Sequence, residues 1–340
     1  MATPTQTLPS AYVWRRVHSL FGLLIALFLT EHLITNSQTA LLLGADGSGF
    51  VRAVNFIHHL PFLPVIEIGL IGVPILFHAI WGIRYAVQAR SNTRHTSGKA
   101  PSLGKYSRNQ AYSWQRITSW ILFVGLILHV SYMRFYRYPD EAQIGSQQYF
   151  STRLSLDPGL YTVAKRLDVT LYSSKMIDKE KEELVKIEKH KSESEAVRMY
   201  EGLSEQLDEK GEILFSTRAE TVLDRYQLID QKTQFLKMLT KRSVSDSQVV
   251  AVAKDFGTAT LLMVRDSFKS YWKAGLYSIF VLAAAFHGFN GLWTFLISWG
   301  MIIRMRSQKK MVNVCVGLMV IIAFLGLASV WGTYWINLKQ

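Results

Sequence analysis

PVIEIGLIGVPILFHAIWGIRYAV, residues 64–87, is an apolar run whose only charged or imidazole side chains are Glu67, His78 and Arg84. As a helix rising about 1.5 Å per residue it is long enough to cross a hydrocarbon layer of about 30 Å, which takes roughly 20 residues. Working outward from it, four more stretches have the same character: approximately Val17 to Leu43, Ser113 to Tyr136, Trp272 to Ile303 and Val314 to Ile336. Trp14, Trp114, Trp272, Trp299 and Trp335 stand at their ends, where amphipathic rings settle at a membrane interface. These features predict an all-α integral membrane protein, a five-helix bundle with its first three helices in 10–138 and its last two in 272–337.

Between the third and fourth runs lies a segment of different composition. Of the 25 acidic residues, 22 fall between Asp140 and Asp266, and only Glu31, Asp46 and Glu67 lie elsewhere. The formal net charge of +13 therefore belongs to the apolar portion, a distribution that points to a membrane and away from nucleic acid. Residues 139–271 read as a charged, mostly helical insertion, with a strongly charged stretch from Asp178 to Glu209, a break near Gly211 and a helix-like run from Arg218 to Lys241. Its last part, Ser245 to Phe268, is more apolar. It serves either as a solvated appendage or as a docking surface or cap on one membrane face.

Short-loop charges set the orientation, because Lys and Arg are retained on the cytoplasmic side. Arg15, Arg16, seven basic residues from Arg84 to Arg116, and Arg304, Arg306, Lys309 and Lys310 fall on one side; Arg52, Arg134, Arg137, Lys273 and Lys339 fall on the other. The N-terminus is thus expected inside, and the C-terminus and the 139–271 insertion extracytoplasmic. The first 12 residues are uncharged and no small-residue cleavage site follows the first apolar run, so that run is expected to stay in the mature protein. The single cysteine, Cys315, lies in an apolar run, which excludes a disulfide framework, a CxxC zinc site and a CxxCH covalent haem attachment.

Four of the apolar runs each place a histidine in the apolar zone: His32, His78, His129 and His287. A single intramembrane histidine can bond to a neighbouring helix or line a pathway as readily as it binds metal. Depth groups the four. His32 lies roughly 24 Å beyond Arg16 and His129 roughly 20 Å beyond Arg116, both from the cytoplasmic side. His78 lies roughly 21 Å from Pro64 and His287 roughly 21 Å from Lys273, both from the outer side. His32 and His129 thus share the outer half, and His78 and His287 the inner half.

Facing histidines can supply both axial ligands of a haem iron held in a bundle core. Gly82 and Gly291, four residues after His78 and His287, either let a flat macrocycle approach the backbone or serve helix packing. Arg16, His18, Ser19, Gln115 and Arg116 are placed to receive anionic propionates at the cytoplasmic boundary. Arg16 could equally anchor the topology. His58, His59, His95 and His190 read as solvated residues of loops or of the insertion.

The stretches Tyr12 to Gly22 (YVWRRVHSLFG), Glu31-His32-Leu33, Pro74 to Gly82 (PILFHAIWG), Trp114 to Thr118 (WQRIT) and Phe286 to Trp293 (FHGFNGLW) resemble the dihaem cytochrome b558 anchor of bacterial succinate dehydrogenases. The resemblance covers all five helices, roughly residues 10–138 and 272–337. It implies a multi-pass subunit of the bacterial cytoplasmic membrane with two noncovalent b haems. The positions of His78 and His287 would serve the proximal haem, and those of His32 and His129 the distal one. It further implies partnership with flavoprotein and iron-sulfur subunits on the cytoplasmic face, and electron exchange with a membrane quinone, usually menaquinone, near the distal haem. The 139–271 insertion departs from the compact family pattern.

Quinone chemistry moves protons with electrons, so a titratable group is wanted near the distal haem. Glu67 is the first candidate proton carrier, although it could merely anchor the second helix. Glu31, beside a histidine, is the second, and could instead tune that ligand. Two other readings stay open at this level. One is an anchor of another dihaem complex, such as a fumarate reductase, formate dehydrogenase or hydrogenase; the other is a proton-coupled transporter with no redox cofactor.

Overall fold

The structure, a computed structural model, describes residues 8–40, 45–89, 105–193 and 217–338. The chain divides into two compact units: residues 137–266, and the helices that precede and follow them.

Among its described residues the first unit contains five helices long and apolar enough to cross a membrane: α1 (Ser10–Ser37), α3 (Leu63–Gln88), α4 (Ser107–Tyr136), α9 (Tyr271–Ser298) and α10 (Met305–Trp335). A shorter helix, α2 (Ser48–His58), links α1 to α3 and carries Phe50 on its buried side. His58 and His59, expected in a loop, instead end this helix, where the His59 ring bonds the Asn55 carbonyl at 2.6 Å. The end of the first apolar run near Leu43, the loop around His95, and the break at Gly211 lie outside the described residues, as does the side chain of His190.

Three of the spanning helices contain π-helical turns, at Glu67–Gly72, Ser131–Tyr136 and Ala328–Gly332. The first has a visible cause in the sequence. Pro74 has no amide proton to donate, and in an α-helix its ring would press on the carbonyl four residues back, Leu70, which lies in the widened turn. Beyond the last residue of α9, Ser298, the chain turns away at Gly300, whose φ of +70° suits a residue without Cβ; the Met301 amide then bonds the Leu296 carbonyl at 3.0 Å.

Helix α9 is the centre of the bundle and packs against α1, α4 and α10, while α3 leans on α1. The run Ala283-Ala284-Ala285 makes this possible, since small side chains let helix backbones approach closely in lipid. A core of Leu33, Ala285, Phe289 and Ile322 joins α1, α9 and α10. Leu27, Leu76, Val124, Leu276 and Val320 point outward, as expected of side chains facing acyl chains.

The second unit corrects the all-helical expectation. It is built on a four-stranded antiparallel sheet of order β1-β2-β4-β3, from β1 (Asp140–Ile144), β2 (Gln147–Ser155), β3 (Thr170–Tyr172) and β4 (Gln248–Ala253). Helices α5 (Leu160–Arg166), α6 (Ser174–Glu193), α7 (Thr217–Thr240) and α8 (Phe256–Ser267) complete it. Strand β4, QVVAVA, has five of its six residues buried; β-branched residues covered on both faces form a continuous apolar strand without alternation. Leu154, Leu239 and Leu262 are almost fully buried around it, as is Val249 within it. At the ends of the unit, Arg137 pairs with Asp266 at 2.7 Å, and Arg265 grips Asp157 through two bonds of 2.9 and 3.0 Å.

Candidate functional site

His32 on α1, His78 on α3, His129 on α4 and His287 on α9 turn into the bundle, and their rings meet at two levels. His32 on α1 faces His129 on α4 with ring centroids 5.9 Å apart and planes at 88°. His78 on α3 faces His287 on α9 with centroids 6.2 Å apart and planes at 83°. A first-row metal takes an imidazole nitrogen at about 2 Å, and that nitrogen lies about 1 Å from its ring centre, so two rings flanking one metal have centroids about 6 Å apart. Both separations fit that requirement. Among the described residues no three His, Cys, Asp or Glu cluster as a bare metal ion would need. Two imidazoles alone suit an iron whose remaining positions come from a macrocycle.

The groups that the far sides of these rings touch favour ligation as well. The Nδ1 of His78 lies 3.0 Å from the His18 carbonyl, and the Nδ1 of His287 lies 3.2 Å from the Gln115 carbonyl and 3.3 Å from the Thr118 hydroxyl. A carbonyl can only accept, so Nδ1 carries the proton in both rings and Nε2 keeps its lone pair. The Nδ1 of His129 lies 3.2 Å from the Tyr277 hydroxyl. Of these partners, His18 and Gln115 were singled out in the sequence, for another role, and Thr118 and Tyr277 were not. The antiparallel pairing of α4 with α9 was the signal that could have found Thr118 and Tyr277.

The expected propionate partners fall into two groups. On α1, Arg16 donates to the Ser298 carbonyl at 3.0 Å and lies over the Tyr12 ring, while Ser19 accepts from the Trp299 indole at 3.0 Å. His18 stacks flat on His78, with centroids 4.0 Å apart, and its Nδ1 is buried without a hydrogen-bond partner. On α4, Gln115 donates to the His287 carbonyl at 3.0 Å and accepts from Asn290 at 2.6 Å, and Arg116 lies over Tyr112. The indole nitrogen of Trp293 is likewise buried and unpartnered. Orphaned polar nitrogens are costly in an apolar bundle, and those of His18 and Trp293 fit a site that receives a polar ligand group.

The glycines do not stand in open space. A Cβ on Gly82 would lie 3.6 Å from His18, and one on Gly291 would lie 3.7 Å from Gln115. The tightest approach to a histidine is at Gly22, which was not anticipated, where a Cβ would lie 2.9 Å from the His78 ring.

The two acids lie apart from each other. Glu31 accepts a 2.8 Å bond from Thr35, one turn along α1. Glu67 pairs with Arg134 at 3.2 Å, and both residues lie in π-helical turns, a feature common at functional sites.

Five apolar spanning helices with buried histidine pairs between them define a multi-pass helical membrane protein. In sequence the chain is similar to the succinate dehydrogenase cytochrome b558 subunit of Bacillus subtilis (strain 168), 33% identical over 120 residues, which are 35% of this chain and 54% of that protein. The chain thus spans about half the length of the curated relative it matches. No family model and no solved structure matches it.

Proposed function

We propose that this chain is the dihaem cytochrome b membrane anchor of a succinate:quinone oxidoreductase. The observation that carries the reading is the pair of imidazole couples, 5.9 and 6.2 Å between centroids, drawn from four different helices. The similarity to a cytochrome b558 subunit of succinate dehydrogenase supports it. When bound, two noncovalent b haems supply a one-electron relay through the bundle. The residues hold and orient them: His78 with His287 at the level nearer the cytoplasm, and His32 with His129 at the outer level. Carbonyl acceptors keep the Nε2 lone pairs of His78 and His287 available.

In this reading the N-terminus is cytoplasmic, and residues 137–266 and the C-terminus are extracytoplasmic, following the excess of basic residues in the loops on one side. Flavoprotein and iron-sulfur subunits bind the cytoplasmic face, and menaquinone reacts near the outer pair. Glu67 holds a proton for the quinone, with Arg134 fixing its carboxylate; Glu31, tied to Thr35, is the weaker candidate. Arg16, His18, Ser19, Gln115 and Arg116 face the propionates.

Reduced-minus-oxidised spectra of the purified chain test the proposal. Two b-type haems are expected. His78→Ala and His287→Ala each remove one of them, and His32→Ala and His129→Ala each remove the other. Crosswise loss, for example of one haem by both His32→Ala and His78→Ala, contradicts the pairing. A chain without b-type absorption returns the histidines to proton transport. Co-purification with a formate-oxidising or hydrogen-oxidising subunit, in place of a succinate-oxidising flavoprotein, assigns the anchor to another complex.

A further inference from the structure

Helices α4 and α9 run antiparallel and meet through a series of matched contacts. Gln115 bonds Asn290, Thr118 bonds His287, Gly125 is pressed by Phe280, His129 bonds Tyr277, and Tyr132 accepts from Lys273 at 2.9 Å. Each step of three, four or seven residues up one helix is answered by such a step down the other, so all these residues share one interface.

Three of the four histidines have their Nδ1 engaged, but the partners differ in kind. His78 and His287 meet main-chain carbonyls, which no substitution removes. His129 meets a side chain, the Tyr277 hydroxyl at 3.2 Å. The Tyr277 ring is held edge-on between Phe268, at 5.1 Å, and the His129 ring, at 5.8 Å. Lys273, one turn away on α9, bonds Tyr132, one turn from His129 on α4, so a separate contact joins the two helices one turn beyond the His129 rung.

We infer that Tyr277 is a positioning residue for His129, its hydroxyl oxygen accepting the Nδ1 proton and thereby holding Nε2 as the metal-binding nitrogen. The inference rests on the haem reading above. An acceptor bonded to the outer nitrogen of a ligating histidine would raise the basicity of that ligand, and a more basic ligand would stabilise oxidised iron more than reduced iron. Tyr277 therefore lowers the midpoint potential of the haem at the His32 and His129 level and leaves the other haem to its carbonyl acceptors.

The test is a redox titration of the haem-loaded chain. Tyr277→Phe keeps the ring and removes the acceptor, and it is expected to raise the midpoint potential of only that haem which His129→Ala removes. Tyr132→Phe breaks the neighbouring rung without touching a histidine and shifts neither haem. Unchanged potentials in Tyr277→Phe, or equal shifts of both haems, overturn the inference while leaving the haem assignment in place. Absence of b-type absorption in the unsubstituted chain overturns the haem reading itself and is seen before any variant is made.

Discussion

Gly125→Ala is a one-methyl change that reaches the His129 site through Phe280. A Cβ at position 125 would stand 2.5 Å and 2.8 Å from two carbons of the Phe280 ring. Ordinary carbon contacts lie at about 3.5–4.0 Å, so the ring must retreat by about 1 Å. Phe280 also lies against the His129 ring, 5.8 Å between centroids, and sits one turn from Tyr277 on α9. Helix α9 therefore moves where it meets His129, and the 3.2 Å bond from His129 to Tyr277 opens. Over-packing of this kind costs about 1–3 kcal/mol, roughly a 5- to 150-fold loss in the equilibrium constant for a correctly formed site. Thr118, which meets His287, lies about 10 Å along α4 from the insult, so the other level is spared. On the proposed dihaem reading, spectra of Gly125→Ala should show the haem at the His32 and His129 level depleted and that at the His78 and His287 level intact, with Phe280→Ala relieving the defect in the double variant. A normal spectrum, depletion at the wrong level, or failure of the second substitution to restore occupancy would refute the reasoning.

Glu67→Gln keeps the size of the side chain and removes its charge. Because the pair with Arg134 is exposed and such pairs contribute about 0–1 kcal/mol, stability and both haem spectra should hold while quinone turnover falls. Unaltered turnover would remove Glu67 from the proposed site. Asp266→Ala leaves Arg137 without its 2.7 Å partner, in a pair only 10% and 5% exposed, and takes the acceptor from the Ser155 amide. Breaking a buried pair in this way costs about 3–5 kcal/mol, so residues 137–266 of the full chain should be cleaved much faster by protease, and equal resistance would contradict the assignment. Burial, followed by the Glu180 carboxylate and Tyr149, pushes the Tyr172 phenol above its usual 10. The fold therefore favours the protonated phenol: its contribution is complete below that pH and is lost as pH rises through the shifted value. Alkaline unfolding of Tyr172→Phe should show a shallower decline, and superimposable curves would exclude the effect.

The spanning helices are legible because length and apolarity are dictated by the bilayer, and each of the five sequence runs overlaps one of the five long helices. The sheet in residues 137–266 was hidden by composition. Strands β1 and β2, DEAQI and QQYFSTRLS, are polar enough to pass for loop or helix, and β4 is too short to separate from a buried helix by periodicity. One local signal was present. Gly145 and Ser146 form a two-residue connection between β1 and β2, with φ of +61° at Gly145, the positive value that fits the twist of a tight hairpin. Within the bundle, depth along each helix indicated which histidines share a level, but rotation about each helix axis is set by packing. For that reason the stacking of His18 on His78 and the approach of Gly22 were not foreseen.

The α4 and α9 interface explains how two histidine levels can be built from so few special residues. Gln115, Thr118, Gly125, His129 and Tyr132 repeat at steps of three, seven, four and three, the spacing that keeps a single helical face turned to one partner. On α9, Asn290, His287, Phe280, Tyr277 and Lys273 descend by three, seven, three and four, so each helix supplies a histidine to one level and, at the other level, a hydrogen-bond partner for the histidine of the facing helix. A slip of one residue would turn each helix by about 100° and take both levels out of alignment together. The two levels, about 15 Å apart along the helices, are therefore fixed by one register. His32 on α1 and His78 on α3 are then required only to reach the correct height, which is the property that could be read from the sequence.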